Sequence, residues 1–148
     1  MEHDPFGNLR EWGTVLQTLK DLGSSNRLAE CQKGLIRILR FRENWRLREE
    51  VLKCIGKINA PSARLIEQVI EMVCDEDAYY ELRILASRTL GELMRNHCKQ
   101  PHDGNSPRTE AALERMYSLL QVPQPPILSE ALHRCLRDVQ ETSGIARN

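Results

Sequence analysis

The residue types that do chemistry are thinly spread in this chain. Its four histidines are His3, His97, His102 and His133. Only His97, Cys98, His102 and Asp103 gather in one stretch. Those side chains are zinc donors, but a structural zinc site uses four firm ligands at paired spacing, and no C-x-x-C occurs anywhere. No nucleophile elbow and no phosphate-cradling loop is present. Acids such as Asp75 and Asp77 read equally well as turn residues and as acid–base groups. The expectation is therefore no catalytic residue, no metal and no cofactor. The alternative is a small metal enzyme or lyase built on the loop from Cys98 to Asp103.

The five cysteines (Cys31, Cys54, Cys74, Cys98 and Cys135) are odd in number and widely spaced. With no basic and apolar leader at the N-terminus, they point to a reducing compartment, the cytosol by default and the nucleus second. Cys31, Cys54, Cys74 and Cys135 fall on apolar helical faces and read as small core residues.

Charge is the next resource. The chain's 148 residues carry 21 Lys+Arg and 21 Asp+Glu, so the net charge is zero. That argues against a general nucleic-acid or membrane-surface binder, which needs a cationic footprint. No apolar run is long enough to span a bilayer. The charge is nonetheless polarised. Arg37, Arg40, Arg42, Arg46 and Arg48 crowd one turn with only Glu43 opposing, a local excess of +4, whereas residues 61–81 sum to −5. Trp45 lies inside the basic turn, and Trp beside Arg is common hot-spot chemistry in protein interfaces.

These residues need a frame, and the periodicity supplies one. Apolar side chains recur at three- and four-residue steps, and no stretch alternates over the length of a strand. The pattern predicts seven helices: Leu9–Leu22, Arg27–Arg40, Trp45–Asn59, Ala63–Cys74, Tyr79–His97, Pro107–Leu120 and Leu128–Thr142. Asn8 and Glu11 form a capping-box pair before an apolar stripe of Leu9, Trp12, Leu16 and Leu19. Asn44 is an N-cap, and Ser106 followed by Pro107 is another. The prolines of 121–127 (QVPQPPI) break the chain between the last two helices.

The helices repeat. Leu47, Arg48, Val51, Ile55, Gly56 and Ile58 lie over Leu82, Arg83, Ala86, Leu90, Gly91 and Leu93 at a shift of 35 residues. A shift of 81 brings Leu128, Leu132, Cys135, Leu136 and Val139 over Leu47, Val51, Cys54, Ile55 and Ile58. The preceding helices follow the same shifts. The result is one domain, 1–148, with an N-terminal helix at 8–23 and helix pairs at 26–59, 62–97 and 106–142. An insertion at 98–106 and a frayed tail at 143–148 complete it. A helix pair cannot bury its apolar faces alone, so stacked pairs share one core. Gly56 and Gly91 each cost about 1 kcal/mol against Ala within a helix, so their recurrence implies a close contact there.

The stretch from Asp75 through Leu82-Arg83, Ala86 and Leu90-Gly91-Glu92-Leu93 resembles the HEAT-repeat family, with its turn Asp, Val/Leu-Arg, Ala and Leu-Gly-x-Leu. The first unit has Arg40 where the second has Asp75, and the third has Ser129 for the Arg and Arg137 for the Gly. The resemblance implies a right-handed, all-α solenoid of three helical hairpins behind one capping helix. It also implies that second helices line a concave face. The shifts place Lys53, Arg88 and Arg134 at one repeat position, and such a stripe suits an acidic segment of another protein. Glu49 and Glu130, each four residues before a member of the stripe, offer local pairing instead. Basic and Trp intra-unit turns resemble the tubulin-binding turns of TOG-type HEAT arrays, with Trp45, Arg46 and Arg42 as contacts. Trp45 aligns with Tyr80, which favours packing. HEAT-like hydroxylases use His-Glu dipeptides, absent here, and HEAT-like DNA glycosylases need a basic, aromatic groove. The expected function is a non-catalytic scaffold or adaptor. Three units are near the stable minimum, so a piece of a longer array is also a fitting description.

Overall fold

The computed structural model describes residues 4–99 and 107–143. All of its regular structure is helical. Helix α1 spans Trp12–Ser24, a 3₁₀ turn Leu28–Cys31 leads into α2 at Gln32–Leu39, and α3 spans Trp45–Ile55. Then come α4 (Ala63–Cys74), α5 (Tyr80–Lys99), α6 (Pro107–Leu120) and α7 (Pro126–Ser143). Each later pair packs internally: α2 on α3, α4 on α5, α6 on α7. Across pairs, α1 packs on α3, α3 on α5 and α5 on α7, while α2 packs on α4 and α4 on α6. Aliphatic side chains from both sets fill one continuous core, including Leu35, Leu52, Leu65, Ile66, Leu90 and Leu132.

The local signals act where they were read, with instructive departures. Asn44 and Ser62 each cap a helix by accepting a hydrogen bond from a backbone N–H at 3.1 Å, that of Leu47 and of Leu65. Asn8 does not cap α1: its side chain accepts from the Arg10 N–H in a tight turn, and the helix begins at Trp12 rather than Leu9. Of the predicted stripe, Leu9 and Leu19 are buried with Val15, while Trp12, at the first helical position, is 57% exposed. The end of α1 is set by Asn26. Asn26 takes φ +58°, a left-handed conformation that Asn tolerates, and the Arg27 N–H closes back on the Leu22 carbonyl at 2.8 Å. Helix α3 stops at Ile55, short of Asn59, and Gly56 lies just beyond it. Pro126 opens α7 two residues ahead of Leu128, because proline suits a first turn, where its missing N–H has no partner to lose. Of the insertion at 98–106, Cys98 and Lys99 continue α5, and 100–106 with His102 and Asp103 lie outside the described residues, as do tail residues 144–148.

The periodicity gave no place to the segment before α1, yet it is fastened to α2. Phe6 is buried, and Asp4 accepts two hydrogen bonds from the Arg37 guanidinium at 2.7 and 2.9 Å. Gly34 makes that seat. A methyl group there would lie 2.7 Å from the Phe6 ring and from the Asp4 carboxylate. Helix α2 gains from Ala at most about 1 kcal/mol of propensity, whereas overpacking a filled contact costs about 1–3 kcal/mol. Gly34→Ala is therefore expected to lower the thermal midpoint followed by circular dichroism. A midpoint equal to or above that of the wild type would show that Phe6 is not held there.

Candidate protein-interaction surface

A helix leaves its last carbonyls without partners, and a helix that ends inside a packed array must find donors for them. Here the donors are side chains from the next helix. Arg48, 6% exposed on α3, donates from Nε to the Leu39 carbonyl at 2.8 Å. Arg83, 3% exposed on α5, does the same to the Val73 carbonyl at 2.9 Å. The third pair has Ser129 at that place. Its donor is Gln124 from the proline-rich turn, whose side-chain amide reaches the Leu119 carbonyl at 2.8 Å. Burial lowers the pKa of Arg48, and so does nearby Arg42, while Asp75 opposes both.

The turns joining the helices of the first and second pairs are knit together. Arg42 and Asp75 form an ion pair at 2.8 Å. Trp45, 44% exposed, meets Tyr79 edge-on with ring centroids 6.0 Å apart. The Arg46 guanidinium sits 5.4 Å from the centre of the Trp45 ring. Arg42 is thus engaged within the chain, whereas Trp45 and Arg46 both keep an open face. The partner of Trp45 is Tyr79, one residue ahead of the aligned Tyr80; Tyr80 instead lies 5.8 Å under Arg83.

The predicted basic stripe divides. Arg88 and Arg134 line one cleft of about 190 Å³ between α5 and α7, and Lys53 is not among its lining residues. Arg88 is exposed. Arg134 pairs with Glu130 at 3.2 Å. Lys53 pairs with Glu49 at 3.0 Å and Glu50 at 3.6 Å, and the hydrogen bond it donates to Glu49 leads the causes that raise its pKa. Both local pairings thus form. Glu92, Arg95 and Asp138 share the Arg88–Arg134 cleft, with Arg95 and Asp138 paired at 2.9 Å, so its charge is mixed.

The two aligned glycines explain why acids reach this surface. A methyl group at Gly56 would lie 2.5 Å from the Glu92 carboxylate, and one at Gly91 would lie 3.2 Å from that of Asp138. Each glycine leaves room for an acidic side chain of the next helix in its row. Glu92 and Asp138 occupy the same repeat position, a relation visible in the alignment but lacking an apolar signature to flag it.

Among the described residues, no three His, Cys, Asp or Glu side chains gather as a metal would require, and no helix is long and apolar enough to cross a membrane. Four described cysteines carry free thiols, of which Cys31 and Cys135 are buried. Burial, reinforced by Asp138, pushes the Cys135 thiol up to about 12; burial, reinforced by Glu50, pushes Cys54 up to about 11. Compared with known proteins, the chain matches no family model, and no curated protein or solved structure is significantly similar to it.

Two measurements test this account. Arg48→Ala removes a buried donor and strands the Leu39 carbonyl, a loss of about 1–3 kcal/mol. It should lower the urea midpoint well below that of Lys53→Ala; equal midpoints would contradict the capping role. Native Cys54 and Cys135 should resist iodoacetamide at pH 8, where each is protonated, and their labelling should climb as pH approaches 11. Rapid labelling of either at pH 8 in the folded chain would show that the thiol is not so shielded.

Proposed function

We propose that this chain is a non-catalytic α-solenoid of HEAT type that captures another protein through the row formed by α3, α5 and α7. The observation that carries the reading is the recurrence of contacts, not only of residues. Arg48 and Arg83 close the first helix of their pairs in the same way. Gly56 and Gly91 each receive an acid from the following helix of the row. Repeated contacts of this kind are what a one-dimensional stack of hairpins requires, and such stacks work by displaying an extended surface. In this reading the row is right-handed and curved inward, and its polar side carries Lys53, Arg88 and Arg134. The partner contributes an acidic segment, recognised in the cytosol or nucleus. Arg88, free of ion pairs among the described residues, is the foremost contact.

Reversing Lys53, Arg88 and Arg134 together to Glu is expected to abolish partner capture in a pull-down while leaving the thermal midpoint near that of the wild type. Undiminished capture by the folded triple variant would refute the basic stripe.

A second reading rests on Trp45 and Arg46, whose stacked and partly open side chains form a turn suited to contact tubulin. A Trp45→Ala, Arg46→Glu double variant that bound tubulin as tightly as the wild type would remove it.

A further inference from the structure

The repeat makes a demand that the third pair does not meet. In the first pair, the buried Arg48 has a carboxylate beside it: Asp75, contributed by the turn of the following pair, favours its charged form. Asp75 itself is fixed by Arg42, and its side chain is only 11% exposed. Asp75 is the residue directly after α4. The residue directly after α6, at the matching place, is Gln121, an exposed amide. Arg83, the counterpart of Arg48, therefore receives no acid from the pair that follows.

The consequence is visible at the guanidinium. Arg83 is 3% exposed, and its Nε is used on the Val73 carbonyl. Its Nη2 is buried with no hydrogen-bond partner. Leaving a buried charged donor unsatisfied is costly, and such groups are normally paired. Arg83 lines an open cleft of about 500 Å³ between the α4–α5 and α6–α7 turns, together with Cys74, Tyr80, Arg115 and Gln124. Arg115, from α6, is a second cation in the cleft, and Glu76 is the one acid among the lining residues. Arg115 makes no ion pair among the described residues; it lies by the Cys74 thiol, whose pKa burial raises and Arg115 and Arg83 draw back. The rim is apolar, with Leu119, Pro123 and a 58% exposed Val122.

We propose that this cleft is a carboxylate-binding site that takes an Asp or Glu side chain of a partner protein, replacing in trans the acid that the first pair receives in cis. Two guanidiniums against one carboxylate leave a single positive charge, which one monoanion neutralises. A guanidinium accepts a carboxylate in a planar, hydrogen-bonded fork. The apolar rim suits the residues that flank an acidic side chain in a peptide, and gives a free anion nothing to contact. The site deepens the reading of a scaffold for acidic segments and rests on it, but it lies at the turns rather than in the cleft of Arg88 and Arg134.

The test uses the full chain and a fluorescein-labelled decapeptide of alternating Glu and Leu. The peptide should shift the Arg83 Nε–Hε resonance in an NMR titration, and the same peptide with Gln for Glu should not. Gln121→Asp supplies the missing acid within the chain. It should raise the thermal midpoint and weaken peptide binding by about tenfold or more, the loss of one charge-assisted pair. Arg115→Ala, an exposed change, should also weaken binding. A Glu peptide that leaves the Arg83 resonance unmoved, or binds Gln121→Asp as well as wild type, overturns the proposal. So does inorganic phosphate that shifts the resonance as strongly as the peptide, since that marks a free-anion site. An Arg88→Glu, Arg134→Glu variant should still bind the peptide at Arg83. Binding lost there but kept in Gln121→Asp would overturn this site while leaving the scaffold reading intact.

Discussion

The array depends on what happens where the first helix of each pair ends. Those carbonyls point into the next helix, away from water, and each needs a donor or the pair cannot close. A long side chain from the following helix is the economical solution, because it crosses the turn that the backbone cannot. Arg suits it twice over. The guanidinium meets the carbonyl, and the aliphatic stem can lie against apolar surface. The cost is a buried cation, which then calls for an acid. In the first pair the acid comes from the next unit, so a capping device within one pair becomes a link between two. Arg42 joins the link from outside, which is why Asp75 is shielded although it sits in a turn.

The second constraint lies along the row α3, α5, α7. At Gly56 and Gly91 the space that a side chain would fill goes to the carboxylates of Glu92 and Asp138 from the following helix. Further polar links join the same helices. Thr89 donates to the Leu52 carbonyl at 2.9 Å, and Asn96 donates to the carbonyls of Gly56 and Ile58 at 2.8 and 2.9 Å. The Gln32 side chain ties α2 to the α3–α4 turn, donating to the Ala60 carbonyl and accepting from the Ser62 N–H. The aliphatic core sets the affinity of one helix for another, but such side-chain-to-carbonyl bonds set their register, since each is satisfied at one offset only.

How much of this could be read from residues alone follows from range. Helix positions rest on a period of 3.6 and on nearby caps, so the helices that open after Asn44 and at Pro107 begin where the sequence predicts. The start of α1 was misplaced because Asn8 has two local uses, a cap or a tight turn, and only the docking of Phe6 decides between them. Pro126 read as a breaker because a proline that ends one helix and one that opens the next look the same in isolation. The core positions Leu47, Leu82, Ile55 and Leu90 followed from the repeat. Polar partners did not, since an Arg at a repeat position is equally a solvated residue or a buried cap. Lys53 and Arg48 are five residues apart on one helix, yet one is exposed in a local pair and the other is sealed against Leu39. Contact with the preceding helix separates them, and the spacing of charges along α3 does not encode that contact.

The third pair shows what happens when the device is rebuilt from other parts. Gln124 satisfies the Leu119 carbonyl with a neutral amide, so the pair closes without burying a cation. An amide needs no acid, and the pair thereby escapes the demand that Arg48 and Arg83 create. The same turn that supplies Gln124 carries Gln121 where an acid would serve Arg83. The pair thus solves its own closure while leaving its neighbour's charge unanswered. In the proposed stack, where each unit contacts only its neighbours, such a substitution cannot be compensated at a distance. Its effect stays at one interface, between α5 and the α6–α7 turn, where the exposed Arg115 adds to the field. A loss of complementarity within the chain thereby leaves a buried cation open to a carboxylate, and in the proposed site the polarity of the partner follows from the residue that the repeat leaves out.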